Sequence, residues 1–160
     1  MILNPDHIKK VIELANRSAY FKLLSISIRE LGIGYSVVEM QLKEKHFTSL
    51  GEIHGGAYAS LIDTAAYWAI YCDLDETSGL ISLDVSVNNL ATTTEGIITA
   101  KGKRIKFGKT ICLAEAKVFN EANTIVAYGN SKLMVSKGLK TVEQVRQFLG
   151  NKPFPPKFVD

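Results

Sequence analysis

The run His54-Gly55-Gly56-Ala57-Tyr58-Ala59-Ser60-Leu61-Ile62-Asp63-Thr64-Ala65-Ala66-Tyr67-Trp68-Ala69-Ile70-Tyr71 decides the fold. From Gly56 to about Tyr71 it is alanine-rich and apolar on most sides. No face of such a helix suits water, so it has to be buried. It starts at a histidine and two glycines and carries one carboxylate, Asp63, in its middle. The surrounding stretch from Ile53 to Leu74 is the most apolar of the chain. A carboxylate at the centre of a bilayer is costly, so this is read as a buried helix and no membrane span is expected.

Outward from that helix, strand patterns lie on both sides. Leu24, Ile26 and Ile28 alternate with Ser25, Ser27 and Arg29, Gly32-Ile33-Gly34 interrupts, and Val38, Met40 and Leu42 alternate again. This predicts an antiparallel hairpin, followed by a loop from Glu44 to Ile53. On the far side, Asp73 to Gly79 is a polar exit loop, and Ile81, Leu83, Val85 and Val87 alternate as one strand. Residues 97–107 and 110–119 flank a tight turn at Phe107-Gly108-Lys109; a second turn at Asn120–Asn123 leads to a last strand from Ile125 to Val135. At the start, Asn4-Pro5 opens a helix whose apolar positions are Ile8, Val11, Ile12, Ala15 and Ala19. At the end, Thr141 to Gln144 forms a capping box for a short helix that turns Val142, Val145 and Phe148 inward and stops at Gly150; the proline-rich tail is expected to be extended.

This order predicts an α+β domain in which an antiparallel sheet curls round one long central helix. The 160 residues, 46% hydrophobic and 22% charged, suit one domain spanning 1–160 with its core at about 20–136. The open side of such a sheet needs a cover, and a second copy supplies one, so at least a homodimer is expected. A net charge of +3 is too mild for nucleic acid as a main partner. Cys72 and Cys112 show no metal or redox spacing, and no His/Cys/Asp cluster implies a metal. They read as reduced core residues, with a disulfide left open. The first residues lack a basic start followed by an apolar run, so no signal peptide is read and a cytoplasmic location is expected.

Two features carry chemistry. A helix start offers unpaired N–H groups and partial positive charge, and glycines let a ligand approach it. His54-Gly55-Gly56 is therefore either an oxyanion hole for acyl transfer or a tight turn that seeds the helix. Asp63 lies seven residues after Gly56, roughly 10 Å along the axis. It is either a carboxylate held by local hydrogen bonds or a general base or nucleophile in an apolar cleft.

The run from His46 to Ala65, with Ser82 to Leu90 and Phe107-Gly108-Lys109, resembles the phenylacetate-degradation (PaaI-like) branch of the hotdog thioesterases. That family shows an Asn, a Gly, then His-Gly-Gly and Leu-x-Asp-x-Ala at this spacing. The resemblance implies a hotdog fold, a dimer or tetramer, and hydrolysis of an acyl-CoA thioester to a carboxylate and CoA. No cofactor is implied, coenzyme A being part of the substrate. Gly55, with Gly56 and the helix N-terminus, would polarise the carbonyl, and Asp63 would be base or nucleophile, reaching the site from the opposite subunit. Ser82 matches a serine that helps place water. His54 would orient the thioester or serve as a structural histidine. The family's Asn falls on Thr48, which can make hydrogen bonds but lacks the paired amide geometry. His46-Phe47 also starts the motif of hotdog dehydratases, but their catalytic Glu falls on Ser60, so His46 is read as a loop histidine.

Lys101, Lys103, Arg104, Lys106 and Lys109 form an acid-free basic run. It is either a solvated sheet face or a binder of coenzyme A phosphates, with Lys101, Arg104, Lys106 and Lys109 as the candidates. Tyr58, Tyr67, Trp68 and Tyr71 read mostly as core, with an acyl tunnel as the other reading. The departure at Thr48 leaves a non-catalytic acyl-CoA or small-ligand binder as the alternative function, and a ligand-free structural oligomer as a third.

Overall fold

The computed structural model describes residues 2–148 and 152–160. The side chain of Phe148 and the helix stop expected at Gly150 lie outside the described residues. Helix α3, Gly55–Tyr71, lies across an antiparallel sheet made of β2 (Ile26–Gly32), β3 (Tyr35–Gln41), β4 (Gly79–Ser82), β5 (Ser86–Asn89), β6 (Ile97–Lys106), β7 (Ile111–Phe119) and β8 (Ile125–Ser136). The strand order is β2-β3-β6-β7-β8-β4, with β5 also paired to β8. This is the hotdog architecture.

Small residues on both surfaces bring helix and sheet together. Ala65, Ala66 and Ala69 of α3 are fully buried, as are Ala100, Ala114, Ala116 and Ala127 of the sheet. Gly102 of β6 takes the closest approach: a Cβ there would lie 2.3 Å from the carbonyl oxygen of Ala65. Ser36 of β3 donates its hydroxyl to that same carbonyl at 2.7 Å. Leu61, Ile62 and Ile70 of the same helix are fully buried as well. Cys72 and Cys112 are buried free thiols.

Three local features depart from the sequence reading. The first helix, α1 (Pro5–Ala15), stops at Ala15, and Ser18 caps a second, α2 (Ala19–Leu24), by accepting from the Phe21 N–H. Ala19 therefore belongs to α2, and Leu24 ends that helix instead of opening a strand. Asn16 explains the break, because its side chain pairs with both backbone groups of Ile28 and so leaves the helix for the sheet. Next, the alternation from Ile81 to Val87 is two strands, not one. Ser82 pairs with Leu133 and Ser86 with Asn130, so four steps on one strand oppose three on the other. Asp84 occupies the extra position, its carboxylate accepting from the Lys132 N–H at 2.9 Å. Such a bulge reverses the side-chain phase. Leu80 and Ser82 turn toward α3, while Ile81, Leu83 and Val85 are exposed at the sheet edge.

The third departure is at the ends. Ile2–Leu3 (β1) pairs antiparallel with Phe158–Val159 (β9), a two-strand clasp too short for periodicity to reveal. Lys157 anchors it, with 2% of its surface exposed. Its ammonium donates to the carbonyls of Tyr71 and Leu74, at 2.5 and 2.7 Å, where α3 ends. A cation at a helix C-terminus satisfies orphan carbonyls and the dipole together. The capping box at Thr141 forms as read, with reciprocal Thr141–Gln144 bonds opening α4 (Val142–Phe148); Val142 is half-buried, but Val145, expected inward, is exposed.

Burial pushes the Lys157 ammonium down from 10.5 to about 8. Between those values the unfolded chain binds the proton that the folded chain has released, so stability contributed by Lys157 rises with pH across that window. The cost of burying the charge is fully present below it. Urea midpoints measured at both ends of the window should therefore rise for the wild type relative to Lys157→Met, by ~2–3 kcal/mol in free energy. A constant difference between the two proteins would contradict this account.

Candidate active site

The approach to α3 is built by a pinned loop. His46, buried, accepts from the Lys43 N–H through Nδ1 at 2.9 Å and donates from Nε2 to the Leu24 carbonyl at 2.8 Å. Burial lowers its pKa, and these bonds fit one neutral tautomer. Its own carbonyl accepts the His54 N–H at 2.8 Å, which fixes where α3 begins. His46 is thus a loop histidine, as the sequence indicates.

His54 is the N-cap of α3. Its backbone is extended, and its Nδ1 accepts the Gly56 N–H at 2.8 Å. The Ala57 N–H goes to the His54 carbonyl at 2.9 Å. Two of the orphan donors at the helix start are therefore taken. The Gly55 N–H has no acceptor among the described residues. Of the two glycines expected to face a carbonyl, Gly55 keeps its donor and Gly56 does not.

Thr48 sits in the turn before the helix. Its hydroxyl oxygen accepts from the Leu50 N–H at 3.2 Å, and its backbone bonds to Glu52 and Gly51 close the turn. Gly51 there has φ +80°, a left-handed geometry that glycine adopts without strain. Thr48 borders an open groove with Phe47, Ser49 and Thr94. Across the helix start, an amide appears that the sequence did not single out. A Cβ on Gly55 would meet Asn89 Nδ2 at 2.9 Å, so the Asn89 side chain lies over Gly55. Nothing in the local pattern marks Asn89, because β5 places it there only after the bulge at Asp84 has reset the phase.

Asp63 is half-buried. Ser82 Oγ donates to its Oδ1 at 2.8 Å, and Oδ2 has no protein partner among the described residues. The phase reversal at Asp84 brings Ser82 to this carboxylate. One turn earlier, Ser60 is bonded to the Tyr20 hydroxyl at 2.7 Å; one turn later, Tyr67 donates its hydroxyl to the Leu80 carbonyl. Burial first, and the neighbouring Asp63 charge second, push the Tyr67 hydroxyl pKa up. Asp63 lies eight residues beyond Gly55, about 12 Å along one helix.

The basic run does not form one patch. Lys101 and Lys103 lie on the outward face of β6, and Lys101 stacks over Phe119, 5.1 Å from the ring centroid. Arg104 is paired with Asp73, a half-buried residue just past α3, and clamps that loop. Lys106 and Lys109 are exposed around the β6–β7 turn. The linear spacing hid this separation because a strand alternates its faces and a bulge intervenes between Arg104 and Lys106. Tyr58 and Tyr71 are core residues, whereas Tyr67 and Trp68 are half-buried; Tyr67, four residues on, shares the helix face of Asp63, and Trp68 is turned well away from it. No helix among the described residues is long and apolar enough to cross a membrane.

Known proteins share this framework. The sequence profile of the thioesterase superfamily matches residues 50–127, which include Gly55, Asp63 and Ser82. A homologue from Archaeoglobus fulgidus is 31% identical over 139 residues, covering 85% of this chain and 78% of that one. The 1,4-dihydroxy-2-naphthoyl-CoA hydrolase of Listeria monocytogenes is 26% identical over 117 residues, or 73% of this chain and 95% of its own. The crystal structure of a Haemophilus influenzae thioesterase superimposes with a TM-score of 0.77 at 23% identity, covering 88% of this chain and 98% of that one. With the helix, sheet and His-Gly-Gly start in place, these matches establish that the chain belongs to the thioesterase superfamily.

Proposed function

We propose that the protein hydrolyses acyl-CoA thioesters to free acids and CoA, at a site shared between two copies of the chain. The observation that carries this reading is the pairing of a helix-start N–H without an acceptor, at Gly55, with a half-buried carboxylate, Asp63, held by one hydroxyl. A helix N-terminus aimed at a carbonyl stabilises the oxyanion that forms on attack. A carboxylate with a free oxygen can take the proton of an attacking water or attack the carbonyl itself. Donor and base have to meet within about 3 Å of one reacting centre. About 12 Å of helix rise keeps Gly55 and Asp63 of one chain from doing so, and the resemblance to the PaaI-like branch implies that Asp63 comes from the other subunit.

The sheet edge supports a dimer. Ile81, Leu83 and Val85 lie exposed along it, at 44, 53 and 39%, and an apolar edge strand invites pairing. Ser82 holds Asp63 in place and can share a water with it. Asn89, over Gly55, offers the side-chain amide that Thr48 lacks, while the Thr48 hydroxyl borders the neighbouring groove. His54 acts through Gly56, fixing the helix start. Lys101, Lys106 and Lys109 remain available to the phosphates of CoA; Arg104 is committed to Asp73.

Gly55→Pro tests the oxyanion role. Proline fits the first helical position, and the extended backbone of His54 suits a residue before proline. The substitution removes the proposed donor and leaves Asp63 untouched, but its Cβ would lie 2.9 Å from Asn89 Nδ2, so Asn89→Ala is measured beside it to separate the loss of the N–H from displacement of that amide. Thiol release should fall roughly 10²–10³-fold with the melting transition retained. An unchanged rate in folded Gly55→Pro protein would remove Gly55 from the mechanism.

A further inference from the structure

A cavity of about 590 Å³ lies between α1, α3 and α4. Its walls are Val11, Leu14 and Ala15 from α1, Trp68 from α3, and Val142 and Val145 from α4. It also touches Ala19 and Tyr67, and both lead back to the carboxylate. Tyr67 stands one turn beyond Asp63 on the same face of α3, and its hydroxyl donates to the Leu80 carbonyl at 3.3 Å, on the strand whose Ser82 holds Asp63. Ala19 precedes Tyr20, whose hydroxyl is bonded to Ser60, one turn before Asp63. The cavity therefore reaches the helix stripe that carries the proposed base at Tyr67, one turn from Asp63, and two of its three walls are helices outside the hotdog sheet.

We propose that this cavity holds a linear aliphatic acyl chain, making the protein a medium- to long-chain acyl-CoA thioesterase; this rests on the thioesterase reading above. The protomer that contributes Asp63 would thus contribute the acyl pocket, while its partner contributes the Gly55 donor. The volume falls within the roughly 300–1,000 Å³ of cavities that bury extended ligands. The lining is mainly aliphatic, with Trp68 at one side, and the exposed Arg17 stands at the rim. A chain that runs from Asp63 past Tyr67 would leave water for apolar wall along its length. Each buried methylene should then raise kcat/KM about three- to fourfold until the cavity is full.

Two readouts test this. The first is kcat/KM for butanoyl-, decanoyl- and benzoyl-CoA in the wild type, Val145→Phe and Ala15→Leu. Val145 is 39% exposed at the wall, so the larger ring can turn into the cavity without opening the core; Ala15→Leu fills it from the opposite side. At that gain per methylene, the six extra methylenes of decanoyl-CoA should raise kcat/KM over butanoyl-CoA by about 10³-fold when all are buried, and by about tenfold when only two are. Either substitution should cut the decanoyl rate about tenfold and leave the butanoyl rate within about twofold. The second readout does not need turnover. Trp68 is the sole tryptophan of the chain and lines the cavity, so decanoate should change its emission saturably in the wild type and not in Val145→Phe.

Wild-type turnover with no chain-length preference, or equal loss on all three substrates, overturns the acyl pocket and leaves the thioesterase reading standing. A preference for benzoyl-CoA that ignores both substitutions also overturns it. If no thioester is turned over but decanoate still reaches Trp68 and is blocked by Val145→Phe, the pocket stands and the thioesterase reading falls.

Discussion

Asp63→Asn is expected to lower thiol release from acyl-CoA by about 10³-fold, within the range lost when a positioned base is removed. The substitution is nearly isosteric. The amide oxygen of Asn can still accept the Ser82 hydroxyl that now reaches Oδ1 at 2.8 Å, so the helix and its packing should be retained. What disappears is the ability of Oδ2 to take a proton or form a bond to the acyl carbon. The expected pattern is a collapse of kcat with the thermal midpoint shifted little. A folded Asp63→Asn enzyme at wild-type rate would show that the carboxylate serves structure alone, which was the other reading of an acid on an apolar helix.

The second large effect is on stability. Gly102→Ala should destabilise the fold by ~3–5 kcal/mol, lowering the melting temperature by roughly 10 °C. The added methyl would lie 2.3 Å from the Ala65 carbonyl oxygen and 2.5 Å from Ser36 Oγ. The first is helix backbone and cannot turn aside. Relief requires α3 to lift from the sheet, which would loosen the alanine layer on both surfaces and break the Ser36 bond to the same carbonyl. Overpacking of a rigid interior costs free energy for this reason. Differential scanning calorimetry of the variant measures the effect, and a midpoint within about 2 °C of wild type would mean the helix sits less tightly than described.

Legibility in the sequence divides along a physical line. Features governed by neighbours in the chain were readable. The all-round apolar run from Gly56, the Asn4-Pro5 start and the Thr141–Gln144 box each carry their own signal, and each forms as expected. Gly55 and Asp63 stood out because glycines at a helix start and an acid among alanines are locally unusual. Features that depend on pairing to distant strands were not readable. The bulge at Asp84 exists because Ser131 and Lys132 bond to that residue from β8. No local count could show that Ser82 turns inward while Ile81 and Leu83 turn out, or that Asn89 comes to lie over Gly55. Arg104 shows the same limit from the other side. In the sequence it is one of several equivalent cations, and its pairing with the Asp73 carboxylate is a product of tertiary packing. The terminal clasp of β1 and β9 falls in the same class, since two residues on each strand are too few for any pattern.

The cavity beside Trp68 extends this point to specificity. The helices that wall it lie largely outside the stretch shared with the thioesterase superfamily, residues 50–127. Chemistry would then reside in the shared core, and the choice of acyl group in the flanking helices.

The most direct test of the central claim, one active site made by two copies, is complementation. Asp63→Asn and Gly55→Pro proteins are each measured for thiol release, then unfolded together, refolded and measured again. Half of the randomly reassociated dimers would carry one of each chain, and one of the two sites in each would combine an intact Asp63 with an intact Gly55. The account predicts recovery to about a quarter of wild-type activity from two nearly inactive parents. A mixture no more active than its parents, with mixed dimers demonstrably present, would contradict a site shared between subunits.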